Sequence, residues 1–199
     1  MRIPFFSHHS CRPCLYLLLF CLVFPFLVGL RPIARFTEEQ IDIHVYQDHV
    51  RVNGYYIYEN PFPFPVVQGF LLPLPVGESH PQPILISAKK LYPTEKPIPI
   101  RSVLGRYVLN LTLAAGERSK ILIQYYQHAP EKNARYILTT TESWRRPLVR
   151  GLYRLLPQGV KITSSNYSLD SGEPGLLRFQ RQEFMPLHDW LFSWEVGVK

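Results

Sequence analysis

Residues 143–169 have the composition of a surface that could bind an anion. They contain five cations and no acid, and aromatic residues are interleaved with the cations. Guanidinium groups bind carboxylate or phosphate through two parallel hydrogen bonds, and a neighbouring ring can stack on a sugar or on arginine itself. This pattern gives five candidate binding residues: Trp144, Arg145, Arg146, Arg150 and Arg154.

A structural interpretation of the same stretch competes with the binding interpretation. Basic runs usually form a solvated face of a protein. Trp144 would then pack on the core beside Pro147 and Leu148. If the stretch does bind a ligand, an anionic glycan, lipid headgroups or an acidic protein partner would all suit its chemistry. The sequence leaves both interpretations open.

Catalytic residues cannot be picked out in this chain. It contains no nucleophile elbow, phosphate-binding loop, dinucleotide fingerprint or zinc-protease motif. His188-Asp189 could be half of a catalytic dyad, but neighbouring side chains usually point apart, so a turn capped by Asp189 is the simpler interpretation. The spacing of Glu38-Glu39 and the other acids selects no facing pair for hydrolysis. We therefore expect a non-catalytic protein, with a hydrolase of unidentified acids as an alternative.

Metal and cofactor sites are also not indicated. Asp42 and His44 would lie on one side of a strand, as a pair of metal ligands does, but an exposed polar face gives the same pattern. All three cysteines, Cys11, Cys14 and Cys21, lie near the N-terminus, so the rest of the chain has no disulfide and no thiolate ligand. We predict no metal site and no cofactor.

The net charge of +7 does not indicate a nucleic-acid partner. Residues 1–34 hold three of the 22 cations and no acid, which leaves 19 cations against 15 acids, or +4, in residues 35–199. That surplus is small, and no RNA- or DNA-binding motif occurs. We expect no nucleic acid among the partners.

Residues 14–30 form an apolar run of 17 residues without a charge, preceded by Arg2 and Arg12. Such a run is typical of a signal peptide or a signal anchor. As a helix it would be about 25 Å long, somewhat short of a hydrocarbon core of about 30 Å. We predict that residues 1–34 are an export signal or membrane anchor, cleaved or retained. The remaining chain is then membrane-anchored or secreted, on the extracytoplasmic side.

From residue 35 onward the hydrophobic pattern has a period of two. Three pairs of alternating segments are each separated by a short turn: 41–45 with 50–58, 107–113 with 121–125, and 152–156 with 160–164. These pairs predict three hairpins, residues 136–141 and 190–198 predict further strands, and proline-rich residues 61–65 predict an extended connector. The pattern as a whole predicts an all-β fold, an antiparallel β-sandwich over residues 35–199. Residues 35–141 could form its core, with 142–199 as an extension.

Three motifs in the first half resemble a known family. They are VNGYYIYENP at 52–61, GFLLPLP at 69–75, and LAAGE at 113–117 followed by ILIQY at 121–125. Their order resembles the VIT-type β-sandwich domains of inter-alpha-trypsin-inhibitor heavy chains and bacterial surface proteins, and uncharacterised exported bacterial domains of similar build. The match covers about residues 41–141. It departs from the family at Ala115, where proline is usual, and no von Willebrand A domain follows.

The resemblance implies an extracellular scaffold or interaction module and carries over no active site. Together with the apolar N-terminal run, it leads to one principal hypothesis. The chain is expected to be an exported, membrane-tethered, non-catalytic β-sandwich that binds a protein partner in the cell envelope or extracellular space. A module that binds an anionic glycan or lipid headgroup through the aromatic-basic stretch is the alternative.

Overall fold

The structure is a computed structural model that describes residues 33–77 and 80–197. The apolar run 14–30 lies outside these residues, and none of the helices within them is long and apolar enough to cross a membrane. A 3₁₀ helix spans Thr139–Trp144. Fourteen strands make up most of the described chain: β1 (Arg35–Val45), β2 (His49–Glu59), β3 (Val66–Leu71), β4 (Ile84–Tyr92), β5 (Lys96–Pro97), β6 (Ile100–Val103), β7 (Arg106–Leu113), β8 (Arg118–His128), β9 (Asn133–Tyr136), β10 (Leu148–Pro157), β11 (Val160–Ser165), β12 (Asp170–Glu173), β13 (Leu176–Phe184) and β14 (Trp190–Val196).

The strands form three open sheets, which confirms the predicted all-β, sandwich-like class. The large sheet has eight strands in the order β12-β13-β10-β1-β2-β8-β4-β5, and two three-stranded sheets have the orders β11-β14-β9 and β3-β7-β6. Strands β10 and β13, from the second half of the chain, thus share a sheet with β1 and β2. The predicted antiparallel pattern has one exception, because β1 and β10 run parallel. A long connection separates these two strands, and such a connection allows parallel pairing.

Each small sheet contributes to its own hydrophobic core against the large sheet. The first cluster combines buried aliphatic residues of β1 with buried aromatic residues of β14: Ile41, Ile43, Val45, Trp190, Phe192 and Trp194. The second combines leucines of β7 with isoleucines of β8: Leu109, Leu111, Leu113, Ile121 and Ile123. Residues of one parity on each strand therefore face the interior, as the period of two predicts.

Of the three predicted hairpins, only the first is present among the described strands. β1 and β2 pair antiparallel from Arg35 opposite Glu59 to Val45 opposite Val50. The predictions for β7 with β8 and for β10 with β11 are wrong, because the strands of each pair enter different sheets. A turn does connect the strands of each pair, but their apolar faces pack against the same core: β10 and β11 in the first cluster, β7 and β8 in the second. Packing face to face leaves the strand edges to other partners.

The predicted strand over residues 136–141 is also wrong beyond Tyr136, where β9 ends. The carboxylate of Asp189 turns the chain at this point. Its Oδ1 accepts hydrogen bonds from the backbone N–H of Leu138 at 3.0 Å and from the backbone N–H and hydroxyl of Thr139 at 3.1 and 2.9 Å. Its Oδ2 accepts one from Arg135 at 2.7 Å. Asp189 is therefore a buried residue that caps the start of the 3₁₀ helix. The chain does bend at residues 187–188, as the turn interpretation predicts, but the carboxylate caps a distant segment and not its own turn.

Replacing Asp189 with alanine is expected to lower the free energy of unfolding by about 2–3 kcal/mol, since the buried N–H of Leu138 loses a charged acceptor. Burial alone would raise the pKa of Asp189, but the donors from Thr139, Arg135 and Leu138 hold it below its ordinary value. Urea denaturation at pH 7 measures the loss. His188→Ala is the matched control with little expected change, because His188 is exposed. Equal losses in both variants would contradict the capping role.

Candidate anionic-ligand site

A cleft of about 300 Å³ opens where β1 begins, beside the 3₁₀ helix. Trp144 and Arg146, two of the predicted binding residues, form part of its wall. The cleft brings two guanidinium groups together with three aromatic rings, although the lining residues come from three distant parts of the chain. The lining residues are Ile33, Ala34, Arg35, Phe36, Pro61, Phe62, Trp144 and Arg146.

The position of Trp144 is fixed by aromatic packing. The centroid of its ring system lies 5.6 Å from that of Phe36, 5.5 Å from that of Tyr58 and 5.7 Å from that of Phe70. Phe36 and Tyr58 also stack on each other at 5.1 Å. Trp144 thus packs on the second core cluster while the rest of its surface lines the cleft. A ring already held in place loses little rotamer entropy when a ligand stacks on it.

The guanidinium groups of the cleft are available to a ligand. Arg35 and Arg146 are exposed, and neither has a carboxylate within 4.0 Å among the described residues. Arg145 is exposed too, but it does not line the cleft. Its backbone takes the left-handed conformation, with φ 54°, and its N–H donates to the carbonyl of Glu142 at 2.9 Å. Its backbone thereby ends the 3₁₀ helix.

Arg150 and Arg154 lie outside the cleft. Arg154 donates through Nε and Nη2 to the two carboxylate oxygens of Asp42, at 2.6 and 2.5 Å. Arg150 is exposed on β10, opposite Glu38 of β1. The parallel pairing of β1 with β10 therefore places Arg154, one of the predicted binding arginines, in an ion pair with Asp42.

Asp42 was also one of the two side chains considered as metal ligands. No group of three His, Cys, Asp or Glu side chains that could hold a metal ion occurs in residues 33–77 and 80–197.

The loop of residues 61–65 contributes Pro61 and Phe62 to the lining of the cleft, and hydrogen bonds hold it in place. The buried side chain of Asn60 donates to the carbonyls of Phe64 and Ala114, each at 2.7 Å, and accepts from the N–H of Phe62 at 3.0 Å. The N–H of Gly116 donates to the carbonyl of Phe62 at 3.0 Å. These bonds fix the loop to the turn between β7 and β8. The predicted connector lies outside any strand, but it is not extended, because the backbone bends at residues 62–64.

A buried ion pair stabilises that turn. Lys90 Nζ lies 2.5 Å from Glu117 Oε1 and donates to the carbonyl of Thr112 at 3.0 Å. Glu117 Oε2 accepts from the N–H of Ala114 at 2.7 Å, and Ser119 donates to Oε1. The side chains of Lys90 and Glu117 are only 4% and 12% exposed. Burial would raise the pKa of Glu117, but the hydrogen bonds from Lys90, Ser119 and Ala114 hold it below its ordinary value.

A second buried carboxyl group, Glu39, faces the interior from β1. Tyr136 donates to its Oε1 at 2.8 Å, and Tyr153 donates to its Oε2 at 3.1 Å. The hydroxyl of Tyr56 is hydrogen-bonded to that of Tyr136 at 2.8 Å. Burial raises the pKa of Glu39 to about 7, although the two tyrosine hydrogen bonds act in the opposite direction. Glu39 does not line the cleft, so we treat it as a stability determinant.

Glycine residues make room for these tyrosines. A Cβ atom at Gly151 would lie 2.7 Å from Tyr153, and a Cβ atom at Gly54 would overlap Tyr56. Each ring therefore lies over the glycine two residues before it, a position that any other residue would block. The sequence contains both Gly-x-Tyr pairs, but their link to Glu39 depends on the register of β1 with β2 and β10.

No family model and no curated protein matches this sequence. Among solved structures, a "putative nutrient binding protein" from Legionella pneumophila is similar, with a TM-score of 0.64 and 13% identity over 82% of this chain and 67% of that chain. An M1 zinc metallopeptidase from Deinococcus radiodurans has a TM-score of 0.46 and 12% identity, over 83% of this chain and 43% of the peptidase. This chain thus spans less than half of that peptidase. The Legionella similarity shows the fold alone, and the resemblance to VIT-type domains stays a prediction.

Proposed function

We propose that this protein is an exported, membrane-tethered, non-catalytic β-sandwich that binds an anionic ligand in the cleft beside the 3₁₀ helix. One observation carries the proposal: Arg35 and Arg146, both without a carboxylate partner among the described residues, line the same cleft as the fixed ring of Trp144. Export and tethering rest on the apolar run 14–30. The resemblance of residues 41–141 to VIT-type domains would suit an extracellular binding module.

The chemistry of the cleft favours phosphate, sulfate or carboxylate groups. A guanidinium group binds such an anion through two parallel hydrogen bonds, and two of them can neutralise a doubly charged group. The rings of Trp144 and Phe36 offer a surface for a sugar ring or a hydrocarbon portion. A volume of about 300 Å³ suits a small ligand group. An acidic segment of a protein partner in the envelope is the alternative occupant.

The full-length Arg35→Ala/Arg146→Ala variant tests the proposal. Each arginine lost from a charge-assisted contact is expected to weaken binding about tenfold. The measurement is the affinity for a sulfated polysaccharide, heparin, at several salt concentrations. The wild-type affinity is expected to fall with salt, as screening of charge contacts requires.

Lys132→Ala/Lys161→Ala is the matched control because it removes the same charge from two exposed cations. These cations lie near the other end of β1, where Gln158 donates to the carbonyl of Val45 and Ala129 to that of Asp48. That end is about 33 Å from Arg35 along the strand. Equal weakening in the two variants would indicate non-specific attraction and contradict the proposal. Unchanged binding in the cleft variant would contradict it as well.

A further inference from the structure

We propose that the occupant of the cleft is the phosphate headgroup of an anionic phospholipid, and that the surrounding surface docks on the membrane that holds residues 14–30. We define this docking surface by Ile33, Arg35, Phe62, Phe64 and Arg146. The inference rests on the proposed function and names its ligand. It is carried by the exposed apolar residues, by the connectivity of the chain and by the charge around the cleft.

The docking surface displays apolar side chains that no described part of the chain covers. Phe64 is 54% exposed, Ile33 is 46% exposed and Phe62 is 38% exposed. The two phenylalanine rings stack on each other with centroids 5.2 Å apart. Clustered apolar groups on a surface mark sites that contact a membrane or another molecule. Phenylalanine at a rim of basic residues is the pattern of a protein that inserts apolar side chains at the headgroup boundary.

The loop that carries the rings of Phe62 and Phe64 is held in one conformation. Asn60 and Gly116 tie the loop of residues 61–65 to the turn between β7 and β8. The three prolines of the loop each have a fixed φ, which limits its freedom further. Insertion of Phe62 and Phe64 into a membrane interface would therefore lose little backbone entropy. A flexible loop would be expected to fold its phenylalanines back onto the protein.

The connectivity of the chain places this surface near the membrane. Ile33 is three peptide units after residue 30, the last residue of the apolar run. Three units span at most about 11 Å. If the run lies in the hydrocarbon core, Ile33 is at most about 11 Å of chain away from its end, a distance within which headgroups lie. The other end of β1 is about 33 Å farther along the strand.

The charge of the surface complements an anionic leaflet. Arg35, Arg145 and Arg146 lack carboxylate partners within 4.0 Å among the described residues, and a further cation, Arg31, directly follows the apolar run in the sequence. The nearby acids Glu38 and Glu59, the latter opposite Arg35 in the register of β1 with β2, both bind Arg118 instead. Glu142 lies on the 3₁₀ helix, three residues before Arg145. Anionic lipid attracts each such cation. A headgroup phosphate between Arg35 and Arg146 would keep its acyl chains beside Phe62 and Phe64.

The test uses the full chain in lipid nanodiscs and a tryptophan reporter in the loop, Phe64→Trp. Acyl-brominated lipid quenches tryptophan that reaches the interface. We expect the added emission of Phe64→Trp, relative to wild type, to be quenched in discs that contain phosphatidylglycerol. Val196→Trp is the matched control, because Val196 is also exposed but pairs with Val160 at the far end of β1 from the cleft. Acyl-brominated lipid is expected to leave the added emission of Val196→Trp unchanged.

Adding Arg35→Ala/Arg146→Ala to the Phe64→Trp chain is expected to lower the ratio of docked to undocked protein roughly thirtyfold, or about fivefold per arginine. Quenching that is equal in phosphatidylcholine discs, or that survives the loss of both arginines, would overturn the headgroup assignment. Absence of quenching with heparin binding intact would overturn membrane docking and leave the proposed function standing. If the wild type shows no salt-sensitive heparin binding and Phe64→Trp with both arginines present shows no quenching, the proposed function and membrane docking are both overturned.

Discussion

Replacing Lys90 with methionine is expected to lower the free energy of unfolding by about 3–5 kcal/mol. The side chain of Glu117 is only 12% exposed, so the variant would leave a buried carboxylate without its cation. The carbonyl of Thr112 would lose a donor as well. Urea or guanidinium denaturation at pH 7 measures the change. The loss would be large relative to the total stability of a typical domain.

The neighbouring residue gives a matched control for this prediction. Lys89 forms an ion pair with Glu95 at 2.8 Å, but the two side chains are 41% and 65% exposed. Lys89→Met is therefore expected to change the stability by about 0–1 kcal/mol. The double variant Lys90→Met/Glu117→Gln should lose less than Lys90→Met alone, because no buried charge remains unpaired. Similar losses in Lys89→Met and Lys90→Met would contradict the role of the buried pair.

The second large effect is a dependence of stability on pH that originates at Glu39. Its pKa is about 7 in the folded protein and 4.5 in its ordinary state, so the folded state holds the proton more tightly. Between these values folding takes up a proton, and stability falls as the pH rises. The group therefore contributes full stability below pH 4.5 and loses about 3 kcal/mol of it by the time the pH has passed 7.

Glu39→Gln removes this titration while keeping the size of the side chain. At pH 8 the variant is expected to be more stable than the wild type by up to about 3 kcal/mol, and at pH 4.5 the two should be nearly equal. Denaturation curves between pH 4.5 and 8 measure the difference. Glu38→Gln is the matched control, because Glu38 pairs with Arg118 and its side chain is 34% exposed. A wild-type slope that persists in Glu39→Gln would contradict this account.

The candidate site was predictable in part. Trp144 and Arg146 stand out because aromatic and basic residues lie side by side in the sequence, and the structure places both in the cleft. Arg154 has the same side chain as Arg146, but it binds Asp42, and only the parallel register of β1 with β10 reveals this. Arg35 carries no local signal. It reaches the cleft because β1 begins where the 3₁₀ helix lies.

The fold was also predictable in part: most of the predicted strands, but only one of the three predicted pairings. A period of two indicates which segments are strands and which side chains face inward, because alternate Cβ atoms point to opposite faces of a strand. The same period cannot distinguish two strands that pair edge to edge from two that pack face to face. β7 and β8 have one apolar face each, as a hairpin would, but their faces meet across the second core cluster. Nothing within either strand encodes that choice.

The sequence by itself therefore determined the all-β class, the inward-facing residues of the predicted strands, the proline-rich connector and the aromatic-basic stretch. Each of these depends on neighbours within a few positions. Tertiary structure alone decided the partners of the polar groups: Asp189 ends a β-branched run, Lys90 binds Glu117, and Glu39 meets two tyrosines. The physical reason is that a buried polar group must find a partner inside the protein. Long-range register determines which partner is within reach.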